Sequence, residues 1–322
     1  MPSTPRGDDP PPPAGRPGDD GTGAPQAAPG RPVGEMRLGD HLCLSYDNAE
    51  EHRAILTAYL RDALRDDHKV IYVSDDAPPE EVLDRFRRGP DAGDLDLPAM
   101  MGEGRFVVRT AEEAYLATGR FDPDEIVGLF ATEIELAMLQ GYRGLRMTCE
   151  KTFSLRGWPG SDRFTEFERK IDHIFRTAPV PAMAICQYDR RWFGRDQLRE
   201  LESYHAGRVR VDDRFDNGTL RITPTFTPPG LALAGAIDES TCPAVEEALR
   251  TAGVRSAHLC LDLSRLEFCD MAGLRALVGA GRTPGGMERQ VILREPPEQL
   301  ALMMRITGWD ALPGVYVEEA PR

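Results

Sequence analysis

Lysine is scarce in this chain: of 39 basic residues, only Lys69, Lys151 and Lys170 are lysine. None of them follows a glycine-rich loop. The GxxxxGK[ST] cradle of nucleotide hydrolases is therefore absent, and with it the lysine that pairs the phosphates. No stretch of 18 apolar residues exists, which argues against a membrane-spanning helix. The N-terminus lacks the apolar core of a secretory signal, so a cytoplasmic protein is expected. The six cysteines are spread out, with no CxxC pair. Free thiols are expected, and the spacing offers no recognised ligand pair, so neither a metal nor a cofactor is expected. Basic charge is also in deficit: 53 acidic residues bring the net charge to −14. Such a surface repels phosphate backbones and anionic lipid, which argues against direct nucleic-acid or membrane binding. The preference for Arg over Lys, with abundant Ala, Gly and Pro, reads as a GC-rich bacterial genome.

What is present suffices for two domains: 322 residues with 41% apolar content. Residues 1–35 are rich in Pro, Gly and Asp and carry too little apolar surface to offset chain entropy. A disordered tail is expected there. Residues 36–204 alternate strand and helix. Strands are expected at His41–Tyr46, Val70–Val73, Arg105–Val108, Gly144–Cys149 and Pro181–Tyr188. Helices are expected at Glu50–Asp66, Pro79–Arg88, from Asp122 to near Gly141, and from Arg163 to Arg176. That alternation implies a parallel sheet covered on both faces. Residues 205–218 are polar and charged and read as a linker. Residues 219–322 read as a smaller α/β unit. Its strands are expected at Leu220–Phe226, Leu231–Ile237, His258–Leu263 and Gln290–Leu293. Its helices are expected at Cys242–Ala252, Met271–Ala280 and Glu298–Thr307.

In the smaller unit an apolar strand, Leu261-Asp262-Leu263-Ser264-Arg265-Leu266, runs into Glu267-Phe268-Cys269. Asp270 then opens an amphipathic helix at Met271-Ala272-Gly273-Leu274. With Leu233-Ala234-Gly235-Ala236-Ile237-Asp238 and the Gly308-Trp309 helix exit, this resembles the STAS domain of anti-sigma factor antagonists. The resemblance covers roughly the last hundred residues. It implies a docking surface around Asp238, Ser264, Asp270, Met271, Ala272 and Gly273 for an anti-sigma factor of the histidine-kinase-like ATPase class. The family's phosphorylated hydroxyl stands after the Asp; here that position is Met271, which can neither carry nor mimic a phosphate. Two readings stand: a docking loop freed from kinase control, and a module kept for assembly.

The larger unit resembles the KaiC/RecA-like core in its strand and helix spacing. The phosphate-loop position, however, reads Ser45-Tyr46-Asp47-Asn48-Ala49-Glu50-Glu51. The unit as a whole is similar to MEDS domains, sensory modules named from methanogens and methylotrophs. His41-Leu42-Cys43-Leu44-Ser45-Tyr46, Gly119-Arg120-Phe121-Asp122-Pro123, Gly141-Tyr142-Arg143-Gly144-Leu145-Arg146 and Cys186-Gln187-Tyr188-Asp189 carry that likeness. It implies sensing of a small, hydrocarbon-derived ligand.

A RecA-like strand order places the Cys186 strand between those of Cys43 and Cys149. Ligands in such sheets bind at the carboxyl ends of strands. Cys149, Glu150, Cys186, Gln187 and Tyr188 sit near those ends and are candidate ligand residues, joined by His41 and Cys43 from earlier on their strand. The plainer reading is that the thiols fill a packed core. Arg146 is placed to pair with Glu150 or an anionic ligand. Trp158 is placed to close over a ligand or cover a sheet edge. The expectation is a non-enzymatic regulator, with a scaffold module or a degenerate nucleotide-binding enzyme as alternatives.

Overall fold

A computed structural model describes residues 30–88, 95–177, 179–252, 257–281 and 289–319. Most of the expected tail lies outside them. Residues 30–35 of it are structured: β1 (Arg31–Pro32) leads into a short 3-10 turn that starts at Val33, which is buried. The composition that argued for disorder stops being decisive where one apolar anchor finds a core.

The larger unit runs β2 (His41–Tyr46), α1 (Ala49–Arg65), β3 (His68–Ser74), α2 (Pro79–Arg87), α3 (Leu97–Gly102), β4 (Phe106–Thr110), α4 (Ala111–Tyr115), α5 (Pro123–Leu139), β5 (Gly144–Glu150), α6 (Phe164–Thr177), β6 (Ala182–Asp189) and α7 (Arg195–Glu202). Five strands form one parallel sheet in the order β2-β6-β5-β3-β4. Helix α1 starts where the Asn48 side chain accepts hydrogen bonds from the amides of Glu50 and Glu51. Helix α5 starts on the Asp122 cap with Pro123 in its first turn. Gly141, at φ +92°, takes the left-handed turn beyond the end of α5.

Side-chain alternation gives this sheet two cores. On one face Ile71, Leu145, Ala184 and Cys186 meet α5 and α6. On the other Val70, Tyr72, Met183 and Ile185 meet α1 and α2. Helix α6 buries Phe164, Phe167, Ile171 and Phe175, each contributing about 1.5–3 kcal/mol. Glu168 lies in the same buried stripe.

The segment expected as a linker holds β7 (Val209–Arg210), paired with β1, and β8 (Phe215–Asp216). Val209 and Val211 enter the core of the larger unit. The smaller unit continues with β9 (Leu220–Phe226), β10 (Pro229–Ile237), α8 (Cys242–Thr251), β11 (His258–Cys269), α9 (Met271–Gly279), β12 (Gln290–Arg294), α10 (Glu298–Thr307) and β13 (Val315–Glu318). Its sheet order is β13-β12-β11-β10-β9-β8, parallel from β10 to β13 and antiparallel at β9 and β8.

Strand β11 outlasts its expected end at Leu263 because it bulges against β10. Ala232 pairs Asp262, Ala234 pairs Arg265 and Ala236 pairs Phe268, so β11 carries two extra residues. The inward positions become Leu263, Leu266 and Cys269, a spacing of three that hides the strand from a period-two search. Strands β8 and β13, absent from the expectation, are too short to show a period.

Buried Arg289 closes this unit. Its guanidinium donates to the carbonyls of Leu249 and Ala252 at the end of α8 and of Ala280 at the end of α9. One cation thus caps two helix C-termini. Arg289→Met is expected to destabilise the smaller unit by about 3 kcal/mol, because buried carbonyls lose charge-assisted bonds. Urea unfolding followed through Trp309 fluorescence checks it.

Candidate functional site

Strand alternation divides the candidate ligand residues between the two faces of the larger sheet. His41, Cys43, Cys149, Cys186 and Tyr188 face α5 and α6, whereas Glu150 and Gln187 face α1 and α2. The expected order holds: Cys186 pairs with Cys43 on one side and with Cys149 on the other, so three thiols form one row. All three are free and buried. Burial pushes the Cys43 thiol up to about 12 and raises those of Cys149 and Cys186. As neutral thiols they are poor nucleophiles.

Beside this row lies a partly open cavity of about 60 Å³. Ile126, Phe130, Met147 and Ile171 make its walls apolar. Its polar lining includes His41, Cys149, Cys186 and Lys151. Lys151 follows β5 and is wholly buried, 3.1 Å from a Glu168 oxygen and 4.7 Å from the centre of the Phe167 ring. Burial opposes its charge, but Cys186 and Glu168 hold its pKa well above the ordinary value. The second Glu168 oxygen lies 4.0 Å from Cys186 Sγ and 3.7 Å from His205 Nε2. His41 brings Nε2 to 3.3 Å from Cys186 Sγ, and its ring lies against Phe175 and His205. Burial first, then His205 and Lys151, lowers the His41 pKa well below the usual imidazole value. Burial also lowers that of His205.

The opposite face carries a separate polar network. Glu150 accepts from Tyr72 Oη at 2.6 Å, the Asp75 amide at 2.9 Å and Arg85 at 3.0 Å. Gln187 donates to Thr148 Oγ1 at 2.7 Å and meets His52 Nε2 at 2.6 Å. Arg146 corrects its expectation. It does not reach Glu150 but donates to Asp66 at 2.7 Å and to the Tyr59 carbonyl, stacked over the Tyr59 ring. The Arg146 and Glu150 side chains both face α1, but four residues of β5, about 13 Å, separate them. Trp158 stacks on Phe153 and does not line the cavity. Between β2 and α1 only Asp47 and Asn48 intervene, where a phosphate loop would need several residues.

In the smaller unit Asp270 caps α9, accepting from the Gly273 amide at 2.7 Å, and its own amide donates to the Ile237 carbonyl. Asp238 caps the neighbouring turn through the amides of Ser240 and Thr241. Phe268, Met271 and Ala272 are exposed beside the cap. Gly273 is buried, and a Cβ there would stand 2.4 Å from Ile237, so it serves packing rather than docking. Ser264 lies five residues before the end of β11, about 16 Å back along the strand, and does not join the loop.

Lys151, Glu168 and His205 escaped the sequence reading. Glu168 alone left a signal, an acid inside the apolar stripe of α6. Lys151→Met is expected to cost about 3–5 kcal/mol, because it strands a buried carboxylate. Adding Glu168→Gln should recover most of that loss in denaturant unfolding. On the other face, burial presses the His52 pKa down to about 4, against the opposing hydrogen bond that His52 donates to Gln187 Oε1. The unfolded chain binds this proton below about 6.5 and the folded chain does not, so stability falls as pH drops from 6.5 toward 4. His52→Gln should remove about one proton from the slope of stability against pH in that window. Urea melts across that pH range measure this slope.

The sequence profile described as "MEthanogen/methylotroph, DcmR Sensory domain" (MEDS) matches residues 40–206, just over half the chain. The profile described as "Mlab, STAS domain" matches residues 220–315. No curated protein matches. Among similar solved structures is an anti-sigma factor antagonist from Mycobacterium paratuberculosis. It is 26% identical with a TM-score of 0.22, over 32% of this chain and 80% of that one. A KaiC-like protein of Pyrococcus horikoshii is 11% identical with a TM-score of 0.38, over 59% and 79%. An uncharacterized protein of the same archaeon, solved with an unknown peptide, is 12% identical with a TM-score of 0.43, over 63% and 95%. A sensory module joined to a STAS module is a regulatory architecture, and the chain belongs to the MEDS family, with a STAS domain following the sensory one.

Proposed function

We propose that this chain is a non-enzymatic signalling regulator of the cytoplasm. In this reading the MEDS unit takes a small apolar ligand into the cavity beside Cys186. The STAS unit docks an anti-sigma factor of the histidine-kinase-like ATPase class and so frees a sigma factor, without touching DNA. The observation that carries the reading is the start of α9. A capped helix N-terminus stands between exposed apolar side chains, Phe268 and Met271, where a partner can bury them. With methionine in place of a hydroxyl, kinase control has no acceptor there, so control falls to the sensory unit. The two-residue connection before α1 supports the absence of phosphate chemistry. Among the described residues no helix is long and apolar enough to cross a membrane.

The test is calorimetric titration of the full chain against each purified anti-sigma ATPase encoded by the same genome, with ATP turnover of the chain measured alongside. One ATPase should bind, Met271→Glu should weaken it at least tenfold, and turnover should equal the blank. A chain that binds none of them and elutes as a large assembly would move the reading to a scaffold. Turnover above the blank would revive the enzyme.

A further inference from the structure

Four potential metal ligands meet at the polar end of the cavity: His41 at the start of β2, Glu168 on α6, Cys186 on β6 and His205 beyond α7. One ligand atom from each lies within 4.8 Å of the others, and all four residues are buried. We propose that they form a binding site for a borderline divalent transition-metal ion, zinc foremost.

The chemistry of the donor set points this way. Two imidazoles, one thiol and one carboxylate match a four-coordinate zinc site. Zinc bonds of about 2.0–2.3 Å put the ligand atoms of a tetrahedron about 3.3–3.7 Å apart. The separations here are 3.3 Å from His41 Nε2 to Cys186 Sγ, 3.7 Å from His205 Nε2 to Glu168, and 4.0 Å from Glu168 to Cys186. Closing the set needs side-chain shifts of about 1 Å or less.

Two further observations favour a ligand over a packed core. His205 Nδ1 meets the Leu201 carbonyl at 2.9 Å. As the donor of that bond, Nδ1 holds the proton, and the Nε2 lone pair is left aimed into the cluster. This is how second-shell bonds orient metal-bound histidines. Nε2 has no hydrogen-bond partner among the described residues, although its side chain is fully buried. A buried lone pair without a donor is costly unless something takes it.

On binding, the Cys186 thiol gives its proton to solvent and its sulfur bonds the ion, a step that balances as M²⁺ + RSH → M–SR⁺ + H⁺. Lys151 brings a positive charge to the cluster, paired with Glu168 at 3.1 Å. It repels the ion, so this site exchanges its metal more readily than a closed structural site. His41 and Cys186 also line the cavity, which puts the ion next to any molecule inside it.

The experiment is cobalt titration of the chelator-treated full chain, read by absorbance. One equivalent of Co²⁺ should produce thiolate-to-cobalt charge transfer in the near ultraviolet, and Zn²⁺ should abolish it by displacement. Cys186→Ser should remove the band. Glu168→Gln should weaken cobalt binding at least tenfold. Cys149→Ala, in the same row but outside the cluster, should keep the band, with circular dichroism confirming that each variant is folded. The proposal fails if the parent chain shows no such band. It also fails if the band survives in Cys186→Ser, or if a folded Cys149→Ala loses it.

Discussion

Strand β6 is buried along its whole length, between β2 and β5 and between two layers of helices. Nothing on it can turn to water, so its polar atoms can find partners only inside the protein. The pleat then decides everything nearby. Ala184, Cys186 and Tyr188 must look toward α5 and α6, and Gln187 must look toward α1. A single site built from Cys186 and Gln187 together is sterically excluded, although they are neighbours in the chain. Two polar systems follow from one strand: a wet-edged network around Glu150, Arg85 and His52, and a dry cluster around Lys151, Glu168 and His205.

The dry cluster is the more expensive of the two. Burying a charge costs several kcal/mol after relaxation, which is more than one buried phenylalanine returns. Helix α6 supplies four large apolar side chains around Glu168, and they outweigh that cost. Lys151 needs the same support and gets it from the faces of Phe167, Phe164 and Tyr115, which surround its ammonium. Replacing such a pair with apolar residues of the same volume is often neutral or stabilising, so the pair is not what holds this core together.

The fold was largely legible in the chain because its signals are local. Asp122-Pro123 starts a helix wherever it stands, and Val70-Ile71-Tyr72-Val73 forms a buried strand by its branching. The places that resisted reading depend on partners. The end of β11 follows from bulges against β10 that no property of β11 alone reveals. Val33 is ordered because the β1–β7 pairing and a distant core hold it, not because of its proline-rich surroundings. The candidate site was half legible for the same reason. Cys43, Cys149 and Cys186 could be aligned from the strand order, with His41 on the Cys43 strand, whereas Glu168 and His205 are brought to Cys186 from distant points of the sequence. Metal-ligand spacing is a signal only when two ligands share one element.

The two units meet at the start of α1. The Asn48 cap that opens this helix also donates to the Phe226 carbonyl at 3.1 Å and to Thr227 Oγ1 at 3.0 Å. Phe226 itself packs against the core of the larger unit. From that turn β10 runs to Ile237, whose carbonyl holds the Asp270 amide at the start of α9. Strand β2, which begins at His41, ends two residues before Asn48. A path of backbone interrupted by one side-chain cap therefore joins the buried cluster to the exposed loop: one strand, the Asn48 side chain, one hairpin and a second strand. Contact of this kind is half of what coupling requires; the other half is an element with two discrete arrangements. Strands buried in sheets are poor candidates for such a change. The Asn48 cap is a better one, because its side chain divides its bonds between holding α1 and holding the hairpin. Both sets of bonds depend on where the end of β2 places Asn48.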